Sequence, residues 1–176
     1  MALHIKRARL AACAVGTLTA VTLALSASPA SASGTYSGLA YVYGAGAFGN
    51  DWDDEGVLST GANTSSNATC LWQKILWADG SLTSSSDIDG VFGTKTKAAT
   101  KDWQSDWDAS PDGAVGKETF GKAGEWLRDT DGDGAVDTYI GSAHSISVSR
   151  DDQGRYHFYD GGGNGRIAGY DYLTCG

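Results

Sequence analysis

"DGVFGTKT" at residues 89–96 and "DGAVGKET" at residues 112–119 share one pattern, Asp-Gly-x-Phe/Val-Gly-x-x-Thr. Asp-Gly favours a tight turn because glycine takes a positive φ at low cost. The Phe92 or Val115 that follows can anchor the turn in a core, and the second glycine lets the chain open a helix with Thr96 or Thr119 in its first turn. The two stretches are either turns that share turn-forming residues or matching parts of one module. The flanking sequence decides.

After the polar stretch "NTSSNAT", Leu71, Trp72, Ile75, Leu76 and Trp77 follow at gaps of three and four, and "ADG" closes the run, which predicts a first helix. Ala99, Trp103 and Trp107 recur at i+4 between residues 94 and 107, giving a second amphipathic helix that must stop before Pro111. A third, shorter helix is expected from about residue 117 to 127, with Phe120, Ala123, Trp126 and Leu127 on its apolar side. The period then changes. "SISVSR" and "RYHFY" each alternate apolar and polar residues around the turn "DDQG", the pattern of a β-hairpin, and a third strand is expected over 166–172. Upstream, the Gly- and Tyr-rich residues 33–61 hold one apolar run at 39–43, read as a strand, followed by the acidic loop "NDWDDEG".

Lys6, Arg7 and Arg9 lead into an apolar stretch from residue 10 to 25 and then "ASA", so residues 1–32 are read as a secretory signal peptide and 33–176 as a single mature domain. The chain has a net charge of −8, which becomes more negative once that leader is removed, and such a surface repels nucleic acid and anionic lipid. Cys13 falls in the leader. The remaining pair, Cys70 and Cys175, is expected to form a disulfide in an oxidising compartment, pinning the tail to the middle of the chain.

Taken as one unit, residues 68–127 resemble the peptidoglycan-binding domain of bacterial wall hydrolases. That family pattern has a Leu-Gln pair three residues before a Leu, then a Gly and the first Asp-Gly signature. Here Trp72 and Gln73 stand at the pair, with Leu76 and Gly80 next. Trp103 and Gln104 take the place of the family's Phe-Gln pair ahead of the second signature, and Phe120 stands for its Trp. The chain departs at Asp108 and Ala109, where Gly and Leu are usual, and at Ala123, where a Leu is usual. The resemblance implies a three-helix core and peptidoglycan, as glycan strand or stem peptide, as the partner.

Exposed aromatics and side-chain amides suit such a ligand, since they stack on sugar faces and hydrogen-bond amide groups. Gln73, Trp77 and Gln104 are therefore the candidate contacts. Trp77 is turned about 140° from Trp72 on a helix advancing ~100° per residue, away from the core face. For each of the three, a structural role is the competing reading. A separate motif, "DTDGDGAVD" at 129–137, places Asp129, Asp131, Asp133 and Asp137 at positions 1, 3, 5 and 9 of a calcium-type loop, with the Ala135 carbonyl at position 7. Position 12 is Ile140 in place of the bidentate Glu, so a solvated acidic turn competes with bound Ca²⁺.

His144 and His157 are the only histidines after residue 32, they lie in separate segments, and neither H-E-x-x-H nor G-x-S-x-G occurs. The expected protein is α+β: a three-helix peptidoglycan-binding-like core at 68–127, an N-terminal strand, and a β extension at 138–176 built on a hairpin. Its expected role is that of a secreted, non-catalytic wall-binding protein, extracellular or wall-associated, acting alone or beside a separate wall hydrolase. Two alternatives stay open: an interaction or inhibitor protein that uses the fold as a scaffold, with or without calcium, and a small cell-wall hydrolase.

Overall fold

The computed structural model describes residues 38–176; the leader expected over 1–32 lies outside them. Three helices come first, α1 (Asn67–Ala78), α2 (Thr94–Asp106) and α3 (Lys117–Gly124). They are followed by five antiparallel strands in the order β1 (Leu127–Arg128), β2 (Thr138–Ile140), β3 (Ser145–Arg150), β4 (Tyr156–Tyr159) and β5 (Gly165–Ile167).

Helix α1 starts where Ser66 Oγ accepts the Thr69 N–H at 3.0 Å, an N-cap, and stops at Gly80, whose φ of +84° suits glycine alone. Its next two free N–H groups, those of Asn67 and Ala68, donate to the carbonyls of Tyr172 and Gly169 at 2.8 Å. The C-terminal tail thus satisfies donors that a helix start leaves open. Asn67, itself buried, accepts from the Thr174 and Cys175 N–H groups, and the Cys70–Cys175 disulfide closes the same junction. A cross-link enclosing a loop of about 100 residues is worth about 4.7 kcal/mol in the chain-entropy account.

The core runs without a break from helices to sheet. Trp72 meets Trp103 and Phe120 edge-on, at 5.1 and 5.7 Å, and donates its indole N–H to Thr100 at 2.9 Å. Trp52, wholly buried, touches Phe120 on the helical side and Tyr139 and Tyr156 on the sheet side. The segment expected to be an acidic loop therefore supplies the ring at the centre of the molecule.

Helix α3 ends at Gly124, short of the expected 127, because Leu127 pairs with Tyr139 in β1–β2 and strand pairing outweighs the helical period. The expected hairpin, β3–β4, is the middle of a five-strand meander. β1 and β2 span two and three residues, too few for an alternation to register. The expected N-terminal strand is an extended segment held by two isolated bridges, Tyr41 to Gly169 and Tyr43 to Arg155, with Val42 buried between them.

Two buried carboxylates secure that segment. Asp51 accepts from Arg150 at 2.6 Å and from the Tyr156 hydroxyl at 2.5 Å. Glu55 accepts from the Tyr43 N–H and the Tyr170 hydroxyl, both at 2.6 Å. Burial nonetheless raises the Glu55 carboxyl to about 7, overriding hydrogen bonds that favour its ionised form. A raised carboxyl favours the fold most when protonated, so this contribution is complete below about pH 4.5 and is lost as pH rises through 7. The unfolding free energy of Glu55→Gln minus that of the parent should therefore rise by about 3 kcal/mol across that window in denaturant melts. A difference that stays flat with pH would show that Glu55 carries no such penalty.

Candidate functional site

The two Asp-Gly stretches build the same hydrogen-bonded device twice. In the first, Gln73 on α1 accepts the Gly90 N–H at 2.7 Å through Oε1. Its Nε2 faces Asp89 Oδ1 (2.9 Å), the Val91 carbonyl (3.1 Å) and Thr96 Oγ1 (2.9 Å). In the second, Gln104 on α2 accepts the Gly113 N–H at 2.9 Å. Its Nε2 faces Asp112 Oδ1 (3.1 Å), the Ala114 carbonyl (2.8 Å) and Thr119 Oγ1 (2.9 Å). Asp89 and Asp112 each close their own turn by accepting the N–H two residues on, at 2.8 Å.

Gly90 and Gly113 sit at φ +72° and +75°. A Cβ on Gly90 would come within 2.2 Å of Leu173 in the tail. Gln, Asp, Gly and Thr are thus one unit: a helix-borne amide grips the turn that opens the next helix. Gln73 and Gln104 are each 1% exposed, and every polar atom of both amides is bonded within the chain. The structural role considered for them engages both the donor and the acceptor end of each amide.

Trp77 is placed differently. It lies half-buried at the end of α1, and the exposed imidazole of His144 stacks on it at 4.0 Å and 10° between planes. The His144 N–H donates to the Ala78 carbonyl at 2.9 Å, which fixes this pair. Beside it, Asp79 accepts from Trp103 (2.7 Å), the Tyr139 hydroxyl (2.6 Å) and the Ser142 N–H (2.9 Å). Burial and the Asp79 charge hold the Tyr139 phenol well above its usual range, so it remains a donor.

Sequence periodicity placed Trp107 and Trp126 on apolar helix faces, whereas both lie just past a helix end and partly at the surface. They meet edge-on at 5.1 Å, both half-buried, with the Arg128 guanidinium 5.5 Å over the Trp126 ring. The signal available was a Trp at the last turn of a helix, which reads equally well as core. A shallow cleft of about 200 Å³ also opens beside the first turn, between Leu82, Val91 and the Lys95–Asp87 ion pair.

The acidic stretch 129–137 is the connection of the β1–β2 hairpin. Asp129 accepts from Gly132 and Gly134, at 2.6 and 2.8 Å, while Asp137 binds Thr130 through its N–H and hydroxyl. These bonds, the Gly134 N–H foremost for Asp129 and the Thr138 side chain foremost for Asp137, lower both carboxyls. Asp129, Asp131 and Asp137 bring one oxygen each within 4.8 Å of one another; Asp133 stands outside that group and accepts the Ala135 N–H. Calcium takes six to eight oxygens. Three convergent carboxylates fit part of such a shell, and water must supply much of the rest.

Neither described histidine joins a metal-type cluster. His157 lies 2.9 Å from Asp151 and opposite Ser149 across the β3–β4 ladder, yet Ser149 makes no hydrogen bond to it. Arg155 shares Asp151, and these partners hold its carboxyl well below the usual range although burial opposes the shift. The arrangement orients an imidazole without activating a serine.

Residues 65–122 match the model of a family described as "Putative peptidoglycan binding domain". The matched segment contains both amide-gripped turns and stops before the β meander. No curated protein and no solved structure matches the chain. The duplicated network carries a stability prediction. Gln73→Ala and Gln104→Ala should each cost about 3 kcal/mol in denaturant melts, because a buried glycine N–H loses its acceptor and a buried cavity replaces the amide that joins turn to helix. A cost below about 0.5 kcal/mol for either would mean that the turns hold themselves.

Proposed function

We propose that the peptidoglycan-binding-like domain at residues 65–122 serves a secreted, non-catalytic protein that binds the bacterial wall, with Trp77 at the contact surface. The family match carries this reading. Two further observations support it. The disulfide fits an extracellular or wall-associated setting, and no described helix is long and apolar enough to cross a membrane. Trp77 is the candidate contact that keeps an accessible edge, and its stacking partner His144 is exposed. Gln73 and Gln104 act from behind, by fixing the turns on which the surface is built.

The non-catalytic reading rests on how the histidines are used, one in a stack and the other hydrogen-bonded to a carboxylate that Arg155 shares. Co-sedimentation with purified peptidoglycan, stripped of teichoic acid, tests the whole proposal. Saturable pelleting is expected, weakened about tenfold (~1.4 kcal/mol) by Trp77→Ala with the near-UV circular dichroism retained. Failure to pellet would favour the scaffold reading, in which the protein engages another protein. Release of soluble muropeptides would favour the hydrolase.

A second reading concerns calcium and rests on the three carboxylates that converge in the β1–β2 hairpin. The loop takes Ca²⁺ at the weak affinity of extracellular modules, about 10⁻⁴–10⁻³ M. Calcium titration followed by calorimetry should show one such site, abolished by Asp131→Asn. No heat above dilution would leave the loop as a solvated turn.

A further inference from the structure

Beyond the helical domain, the outer face of the meander holds a groove of about 370 Å³ that neither the doubled Asp-Gly motif nor the family match touches, and that the acidic loop meets only at Asp137. Its origin is a change of partner along β3. Residues Ser145 to Ser147 pair with β2, whereas Val148 to Arg150 pair with β4, so the two neighbours cover different halves of the strand. The step between them leaves Ser147 and Ser149 on an open face. The buried Val148 and Phe158 line the groove together with Asp137, His157 and Tyr159.

Tyr159 is 56% exposed, the most exposed of the large apolar side chains described. Gly165 lies opposite it in the ladder, where a Cβ would approach the ring no closer than 4.0 Å. Among the described residues, the hydroxyls of Ser147, Ser149 and Tyr159 make no hydrogen bond within the chain. His157 is oriented by Asp151 through Nε2.

We propose that this groove binds an uncharged oligosaccharide, with Tyr159 stacking on a pyranose face and Ser147, Ser149 and His157 exchanging hydrogen bonds with ring hydroxyls. The lining argues for that class on two grounds. Hydroxyls donate and accept, as sugar hydroxyls do, with His157 Nδ1 left over from the Asp151 bond as a further partner, and a lone exposed aromatic at one end suits the apolar face of a ring. Charge disfavours anionic ligands: Asp137 lines the groove and Asp151 stands behind His157, while Arg155 and Arg166 are tied to Asp151 and Asp160 at 2.7 Å.

This site does not depend on the peptidoglycan reading, since it lies on other elements and takes neutral glycans of any origin. The test is calorimetry and amide chemical-shift mapping with cellotetraose, chitotetraose and maltotetraose as separate probes, on the chain with its disulfide intact. At least one probe is expected to bind saturably and to shift amides of residues 147–149 and 157–159. Tyr159→Ala should weaken it tenfold or more, and Trp77→Ala should leave it unchanged. Tyr159 is exposed, so its truncation leaves the core in place. Any one of three results would overturn the proposal: no binding of the three probes up to about 10 mM, loss of binding with Trp77→Ala but not with Tyr159→Ala, or tighter binding of polygalacturonate in the same groove.

Discussion

A primary amide carries two donors and an acceptor in one plane, and the helical part of this protein depends on holding two such groups where water cannot reach them. Gln73 and Gln104 each bond the N–H of a glycine with positive φ, an aspartate, a carbonyl and a threonine hydroxyl. The turn so gripped determines where the next helix begins. Since a buried unpaired amide is costly, each glutamine is stable only with its turn in place, and each turn only with its glutamine. The direction of α2 relative to α1, and of α3 relative to α2, follows from that mutual requirement.

The second organising element is Trp52, whose ring lies between Phe120 and the tyrosines of the sheet. It explains why the meander and the helices share one interior. Around it, Asp51, Glu55 and Asp79 bring charge inward, and the hydroxyls of Tyr156, Tyr170 and Tyr139, respectively, donate to them. Burial suppresses the ionisation of Tyr139 and Tyr156, which suits them to this role, because they stay donors well into alkaline solution.

What could be read in the sequence follows the range over which each signal acts. The helices were legible because Leu71, Trp72, Ile75 and Leu76 repeat within one turn or two, and the doubled Asp-Gly pattern is likewise local. Trp52 was not, since four acidic neighbours mark its segment as solvated, while Arg150 and Tyr156, the residues that draw Asp51 inside, lie about a hundred positions away. β1 and β2 escaped notice for want of length. The groove over Ser147 and Ser149 was illegible for another reason: alternation places those serines outward but says nothing of which strand lies beside each one. Of the candidate contacts, Trp77 was found from helical angle alone, whereas its partner His144 comes from a loop that periodicity leaves unassigned.

The cross-link at Cys70 and Cys175 makes a covalent ring of nearly everything after the first turn of α1, and the tail inside that ring also holds the start of the same helix. The exposed acidic hairpin at 129–137 lies on the ring. A protease that severs this hairpin therefore opens a circle without releasing a fragment, and both halves stay tethered with their shared interior at very high effective concentration. The protein's resistance to damage is in this respect a property of its chain topology, separate from the free energy of its fold.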